Sequence, residues 1–102
     1  MLGDEDQKIV RVRKDMGLSH KEFFASLSTL ARELSCCVSD TGAILEYDKG
    51  QIHIALAPET KRKIGAITLP RTWVSFEFRN LSKSQRLFFL ERFNLAFQRG
   101  GG

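Results

Sequence analysis

Alternation of apolar and polar residues in three segments is the feature that most constrains the fold of this chain. From Thr72 to Arg79 the apolar core-type residues fall at every second position, and the segments Gln51–Ala57 and Lys8–Lys14 show the same period. Successive side chains of a β-strand point to opposite faces of a sheet, so a period of two is typical of a half-buried strand. The three segments therefore predict a sheet with one apolar face.

Two helices are predicted by capping boxes that precede apolar periodicity. Ser19 is followed three positions later by Glu22, and Ser82 is followed three positions later by Gln85. At this spacing each side chain can hydrogen-bond the other residue's backbone N–H and so stabilise a helix start. Apolar residues then recur every three or four positions, which predicts two amphipathic helices. The first spans about residues 20–35, and the second runs from the capping box at Ser82 to about residue 98. Each helix needs an apolar surface to cover.

The chain between the two helices predicts four consecutive strands. They are Ala43–Tyr47, Gln51–Ala57, Ile64–Leu69 and Thr72–Arg79. Residues 58–63 are predicted as a charged turn, and Pro70 with Arg71 as a tight connection. With the first strand, the element order is β-α-β-β-β-β-α. We expect an α+β fold, an antiparallel sheet with both helices packed on one face. The predicted covered face consists of Val10, Val12, Leu45, Tyr47, Ile52, Ile54, Leu56, Val74, Phe76 and Phe78.

The length of 102 residues leaves room for one hydrophobic core. We predict a single domain over residues 8–99. Residues 1–7 are polar and acidic and are predicted to form a disordered tail, and residues 100–102 are predicted to form a glycine tail.

The predicted element order, over about residues 8–98, resembles the TATA-binding-protein-like and helix-grip folds. In those folds a curved antiparallel sheet embraces a long C-terminal helix, so the resemblance implies a fold and no function. Residues 15–20, Asp-Met-Gly-Leu-Ser-His, and residues 97–101, Phe-Gln-Arg-Gly-Gly, also resemble stretches of small bacterial α/β proteins with no assigned activity.

Charge and cysteine content bound the cellular setting. Sixteen Lys and Arg against 12 Asp and Glu give a net charge of +4, which permits binding to a polyanion. Cys36 and Cys37 are adjacent, and a disulfide between neighbours is strained, so we expect free thiols and a reducing compartment. The acidic start lacks the features of a secretory signal, and no apolar stretch is long enough to cross a bilayer. We therefore predict a cytoplasmic protein that does not span a membrane.

The uncovered face of the predicted sheet is the candidate binding surface. It carries the single tryptophan together with arginines and a histidine, namely Trp73, Arg79, Arg11, Arg13 and His53. An aromatic ring can stack on a base and guanidinium groups can bind phosphates, so this set favours a macromolecular partner, a nucleic acid or a protein. Glu46, Asp48 and Glu77 interrupt the positive charge on the same face.

The many phenylalanines leave two further possibilities open. One is a helix-grip ligand cavity between the sheet and the C-terminal helix, lined by Phe76, Phe78, Phe89, Phe93 and Phe97. The other is a homodimer through the C-terminal helix, because Phe88 and Leu95 lie outside its main apolar stripe.

Nothing in the sequence indicates catalysis, a metal site or a cofactor. The two histidines, His20 and His53, and the two adjacent cysteines do not occur at metal-ligand spacing. The isolated glycines do not form a phosphate-binding loop. We predict no catalytic residues, no metal ligands and no cofactor, and we favour a binding module over an enzyme.

Overall fold

The fold consists of a six-stranded antiparallel sheet and two helices. In this computed structural model, residues 9–32 and 34–98 are described. The strands are β1 (Ile9–Met16), β2 (Ser35–Ser39), β3 (Gly42–Tyr47), β4 (Gly50–Leu56), β5 (Thr60–Ile64) and β6 (Ile67–Arg79), and the helices are α1 (His20–Ala31) and α2 (Lys83–Gln98). The two predicted tails lie outside the described residues.

The strand order is β1-β6-β4-β3-β2, and β5 also pairs with β6. All pairs are antiparallel. The predicted α+β class is confirmed, as is the packing of the helices on the sheet. The element order contains one strand more than predicted, β-α-β-β-β-β-β-α.

The extra strand, β2, lies between the end of the predicted helix at about residue 35 and the next predicted strand, in a segment for which the sequence predicted no element. Helix α1 ends at Ala31 instead of about residue 35, and β2 pairs with β3 so that Cys37 lies opposite Ile44. Residues 40 and 41 connect the two strands. A strand this short is stabilised by its pairing with β3, an interaction that helical periodicity within residues 20–35 does not reveal.

The second difference concerns residues 58–71. The predicted turn at 58–63 contains β5, and the predicted connection at Pro70 lies inside the 13-residue strand β6. The turn between β5 and β6 is at Gly65, whose φ of +63° suits glycine. Proline has no backbone N–H to donate to a neighbouring strand. Because β1 ends opposite Thr72, it does not extend as far as position 70, and among the described residues Pro70 has no strand partner on that side of β6.

Strand β5 continues the ladder of β4 after a bulge. Leu56 pairs with Val74, and Thr60 pairs with Arg71. The chain therefore advances four residues from Leu56 to Thr60 while β6 advances three. One extra residue defines a β-bulge. The backbone N–H of His20 donates to Glu59 Oε1 at 2.9 Å, and His20 Nε2 lies 2.8 Å from Ala57 O. These contacts attach the bulge to the start of α1.

Both helices pack against the same face of the sheet through phenylalanine side chains. Phe23 of α1 and Phe93 of α2 are fully buried, and their ring centres are 6.3 Å apart. The centre of the Phe93 ring is 4.9 Å from that of Phe76 in β6, in an edge-to-face arrangement. Aromatic pairs prefer this arrangement. The core also contains Leu27, Leu30, Ala43, Leu45, Ile52, Ile54, Leu56, Val74, Phe78, Leu81 and Phe89. Both capping boxes are present.

Replacing Phe93 should destabilise the fold strongly. Because its ring contacts both helices and the sheet, Phe93→Ala should lower the free energy of unfolding by about 3–5 kcal/mol. The matched variant Phe88→Ala, at a site 49% exposed on the same helix, should cost about 1 kcal/mol or less. Urea unfolding followed by circular dichroism measures both values, and equal losses would contradict the central position of Phe93 in the core.

Candidate functional site

The sheet has one face covered by the helices and one face open. Odd-numbered residues of β1 and β6 lie on the open face, and the even-numbered residues of β6 from Thr72 to Phe78 are buried. The five residues of the predicted binding set all lie on the open face: Arg11 and Arg13 on β1, His53 on β4, and Trp73 and Arg79 on β6. We refer to this surface as the open face.

A groove of about 680 Å³ runs across the middle of the open face. Its floor includes Ser75, Ala55 and Gly42, three small residues that follow one another across neighbouring strands. A Cβ atom at Gly42 would collide with the backbone carbonyl oxygen of Ile54, so this position needs glycine. Arg11 and Arg13 line the groove on the β1 side, and β2 lines the opposite side.

Trp73 lies beside two guanidinium groups at one end of the open face. Arg13 Cζ is 4.5 Å from the centre of the indole ring, and Arg71 Cζ is 5.6 Å from it. Both distances allow cation–π attraction. An arginine stacked on an indole keeps its in-plane N–H donors available for a ligand. The three side chains therefore form an aromatic and cationic cluster, which we call the Trp73 cluster.

Asp15 holds Arg71 in this cluster through a bidentate ion pair. Arg71 Nε donates to Asp15 Oδ1 at 2.8 Å, and Arg71 Nη2 donates to Asp15 Oδ2 at 2.6 Å. These hydrogen bonds lower the pKa of the Asp15 carboxyl below its ordinary value, and the positive charge of Arg62 adds to the effect. The pair orients the guanidinium group of Arg71 and offsets its charge.

Glu77 pairs with two of the predicted binding arginines. Its Oε2 accepts from Arg79 Nε at 2.7 Å, and its Oε1 lies 3.6 Å from Arg11 Nε. The hydrogen bond from Arg79 is the main reason why the pKa of Glu77 is lowered. The carboxylate therefore offsets part of the positive charge at this end of the open face.

The predicted binding residues share a face but do not form one compact site. Arg79 is six positions from Trp73 along β6, which corresponds to about 20 Å in a strand. Arg11, Glu77 and His53 are cross-strand neighbours between these ends. His53 Nε2 is 3.0 Å from Gln51 Oε1. The structure brings together Arg13 and Trp73, and it adds Arg71, which the sequence predicts to lie in a tight connection.

The hairpin of β5 and the first part of β6 extends the open face. We call residues 60–71 the arm. Arg62 lies opposite Leu69, and Ile64 lies opposite Ile67, on the side that continues the open face. The basic residues Lys61, Arg62 and Lys63 are exposed, and within the described chain no carboxylate is within salt-bridge distance of them. Continuing the odd-numbered pattern of β6 backward through Pro70 would have revealed this extension.

The five phenylalanines of the alternative ligand cavity lie in contact with one another. Phe76, Phe78, Phe89 and Phe93 are at most 1% exposed, and the ring centres of Phe93 and Phe97 are 4.1 Å apart. Rings at these separations occupy the space between sheet and α2 that a ligand would need. A ligand cavity of the helix-grip type stays a prediction.

Two further predictions concern surfaces outside the open face. Phe88 and Leu95 of α2 are exposed, together with Leu87, but a homodimer through α2 stays a prediction. Neither helix in the described part of the chain has the length and apolar character required to span a membrane. Over the same residues, no three His, Cys, Asp or Glu side chains are grouped as a metal site would require.

No family model matches this chain, and no curated protein or solved structure matches it. The likeness of its element order to the TATA-binding-protein-like and helix-grip folds stays a prediction. Its function is therefore inferred from the described residues alone.

The ion pair of Asp15 with Arg71 predicts a defined response to acid. Because the pKa of Asp15 is lowered in the folded state, the pair's contribution to stability is present above the unfolded pKa of about 3.9 and is lost as the pH falls through the folded pKa. NMR titration of the Asp15 carboxyl carbon should give a pKa below the ordinary value. In Arg71→Gln the pKa should return toward that value, and an unchanged pKa would contradict the pairing.

Proposed function

We propose that this protein is a non-catalytic module that binds single-stranded nucleic acid on its open face. The Trp73 cluster carries the proposal. It lies where the groove meets the arm, and it combines an indole with two guanidinium groups. Aromatic stacking and positive charge along a groove are the two elements of sequence-tolerant binding to single strands.

The charge pattern assigns different roles to the two ends of this surface. Arg11 and Arg79 share Glu77, so their attraction for phosphate is reduced. Lys61, Arg62 and Lys63 make no salt bridge in the described chain, although the charge of Arg62 acts on Asp15 at longer range, and residues 60–76 contain no Asp or Glu. We therefore expect phosphates to bind mainly along the arm and at Arg13, with a base against Trp73.

The geometry of the groove favours binding over nucleophilic catalysis. Cys37 and His53 both line the groove, but Ile44 on β3 lies between them in the cross-strand row. Two strand spacings separate their backbones by about 9–10 Å. A thiol activated by an imidazole needs a separation near hydrogen-bond length, about 3 Å. Enzyme function has no comparable support in the described residues.

The first test uses Trp73 as an intrinsic reporter. The chain has one tryptophan, so all tryptophan emission comes from the proposed site. Single-stranded oligonucleotides should change that emission, and the affinity should fall with added salt. Arg13→Ala should weaken binding by about tenfold. The control variant Lys21→Ala removes an exposed charge from α1, on the other side of the sheet, and should leave binding unchanged. Unchanged emission together with no salt-dependent binding to DNA or RNA would overturn the proposal.

The second test concerns the arm. For single strands the slope of log affinity against log salt changes by about 0.7 for each phosphate contact. Replacing Lys61, Arg62 and Lys63 by alanine should therefore reduce the slope by about 0.7 for Arg62, which is on the open-face side, and by up to about 2 where the long side chains of Lys61 and Lys63, on the other side of the hairpin, also reach phosphates. Fluorescence anisotropy of a labelled oligonucleotide measures it. The matched triple variant removes three exposed cations of the helix layer, Lys21, Arg32 and Lys83, and should retain the original slope. Equal slopes for both triple variants would exclude the arm from the binding surface.

A further inference from the structure

The two edges of the sheet differ in a way that points to self-association. Strands β1 and β2 are the outer strands of the five-strand order, and β5, which carries three basic residues, pairs only with β6. The backbone groups on the outer side of an edge strand can pair with another chain. Natural sheets protect such edges with charged side chains, proline, bulges or covering segments. β1 carries Arg11, Arg13, Lys14 and Asp15. The edge formed by β2 has no such protection among its own residues.

The sequence of β2 is Ser-Cys-Cys-Val-Ser, without charge, proline or glycine. Val38 is 60% exposed, and Cys37 is also exposed. An exposed, uncharged edge that contains an apolar side chain is the arrangement from which sheets extend by adding a strand. The strand itself therefore presents a pairing surface.

The residues of β2 are self-complementary about their centre. In an antiparallel pair of two copies with a twofold axis at Cys37, Ser35 lies opposite Ser39, and Cys36 lies opposite Val38. The acidic Asp40 then lies opposite Leu34, so no like charges meet. A closed twofold interface requires this kind of match of a surface with itself. The sequence symmetry favours a second copy of this chain over an unrelated peptide.

The surface beside β2 offers room for such a copy. A pocket of about 320 Å³ is lined by Phe24, Leu27 and Ala31 of α1 and by Val38. Cys36 and Val38 are on the helix side of the sheet, since they pair with the buried Leu45 and Ala43. A second β2 would place its own Cys36 and Val38 along the open flank of this pocket and so cover apolar surface.

We propose that β2 pairs antiparallel with β2 of a second copy about a twofold axis at Cys37, which joins the two sheets edge to edge. The axis is perpendicular to the sheet, so both open faces lie on the same side. Cys37 and Ser39 line the groove of each copy, and the two grooves would meet at the axis. This inference does not depend on the proposed nucleic-acid binding.

Sedimentation of the reduced full-length protein at increasing concentration tests the proposal. We expect a reversible dimer. Cys37→Arg places two like charges opposite each other at the axis and should raise the dissociation constant at least about tenfold, with an unchanged circular dichroism spectrum. Val38→Lys, at an exposed site, should act in the same direction. Thr29→Arg adds the same charge on the exposed side of α1 and should leave the dimer intact.

Thiol crosslinking tests the register. Directly opposite residues of an antiparallel pair have Cα atoms about 4.5–5.5 Å apart, within the range of about 4.4–6.8 Å for a disulfide. Diamide, which accepts the two electrons and two protons released, should crosslink the native dimer. The Cys36→Ser variant should retain the crosslink and Cys37→Ser should lose it while remaining dimeric under reducing conditions. Burial raises the pKa of the Cys36 thiol, so Cys36 should react more slowly.

Three outcomes would overturn the proposal. The reduced protein could be a monomer at all concentrations. That result would overturn the proposal both if β2 is exposed to solvent and if another segment of the same chain covers it. A dimer could persist in both Cys37→Arg and Val38→Lys. A dimer could instead be dissociated by Leu95→Arg and not by Cys37→Arg, which would place the interface on α2.

Discussion

Burial of a phenylalanine cluster against one face of the sheet is the interaction on which the rest of this structure depends. Phe23 and Phe93 bring the two helices together over Phe76, and burying aromatic side chains of this size is the largest favourable contribution available to a small domain. Because all this apolar surface lies on one side, the opposite face of the sheet is left to residues that need not be buried. The separation into a packed face and an open face follows from where the phenylalanines occur along the strands.

Electrostatics then organise the open face. Asp15 fixes Arg71 beside Trp73, and Glu77 holds Arg79 and attracts Arg11. These carboxylates orient the guanidinium groups and reduce the positive charge on the sheet itself. The arm has no carboxylate of its own between residues 60 and 71. The surface therefore combines an oriented, nearly balanced region on the sheet with a positively charged extension, and the proposed binding of nucleic acid relies on this charge pattern.

The edges of the sheet show a further asymmetry. β1 is rich in charge and therefore resists the addition of another strand, whereas β2 is short, uncharged and partly apolar. Such an edge is a liability in a monomer unless another segment covers it. A partner copy at β2 would remove that liability and extend the open face. Protection of the edge and extension of the open face would then both follow from the five residues of β2.

Much of the fold follows from local patterns. Alternation placed Val74, Phe76 and Phe78 on the covered face and Trp73 on the open face, and the capping residues Ser19 and Ser82 located both helix starts. Patterns failed where the pairing of one strand with another decides the outcome. Residues 35–39 become a strand because β3 pairs with them, and Pro70 stays within β6 because β1 ends opposite Thr72.

The sequence by itself determined which side chains share a face, because the period of two is a property of each strand alone. Only the tertiary structure decided which of them meet. Arg13 reaches Trp73 because β1 pairs with β6, and Arg71 joins them because β6 continues past the end of β1. Contacts between residues more than 50 positions apart depend on strand order and register, which arise from packing the whole chain and not from any segment of it.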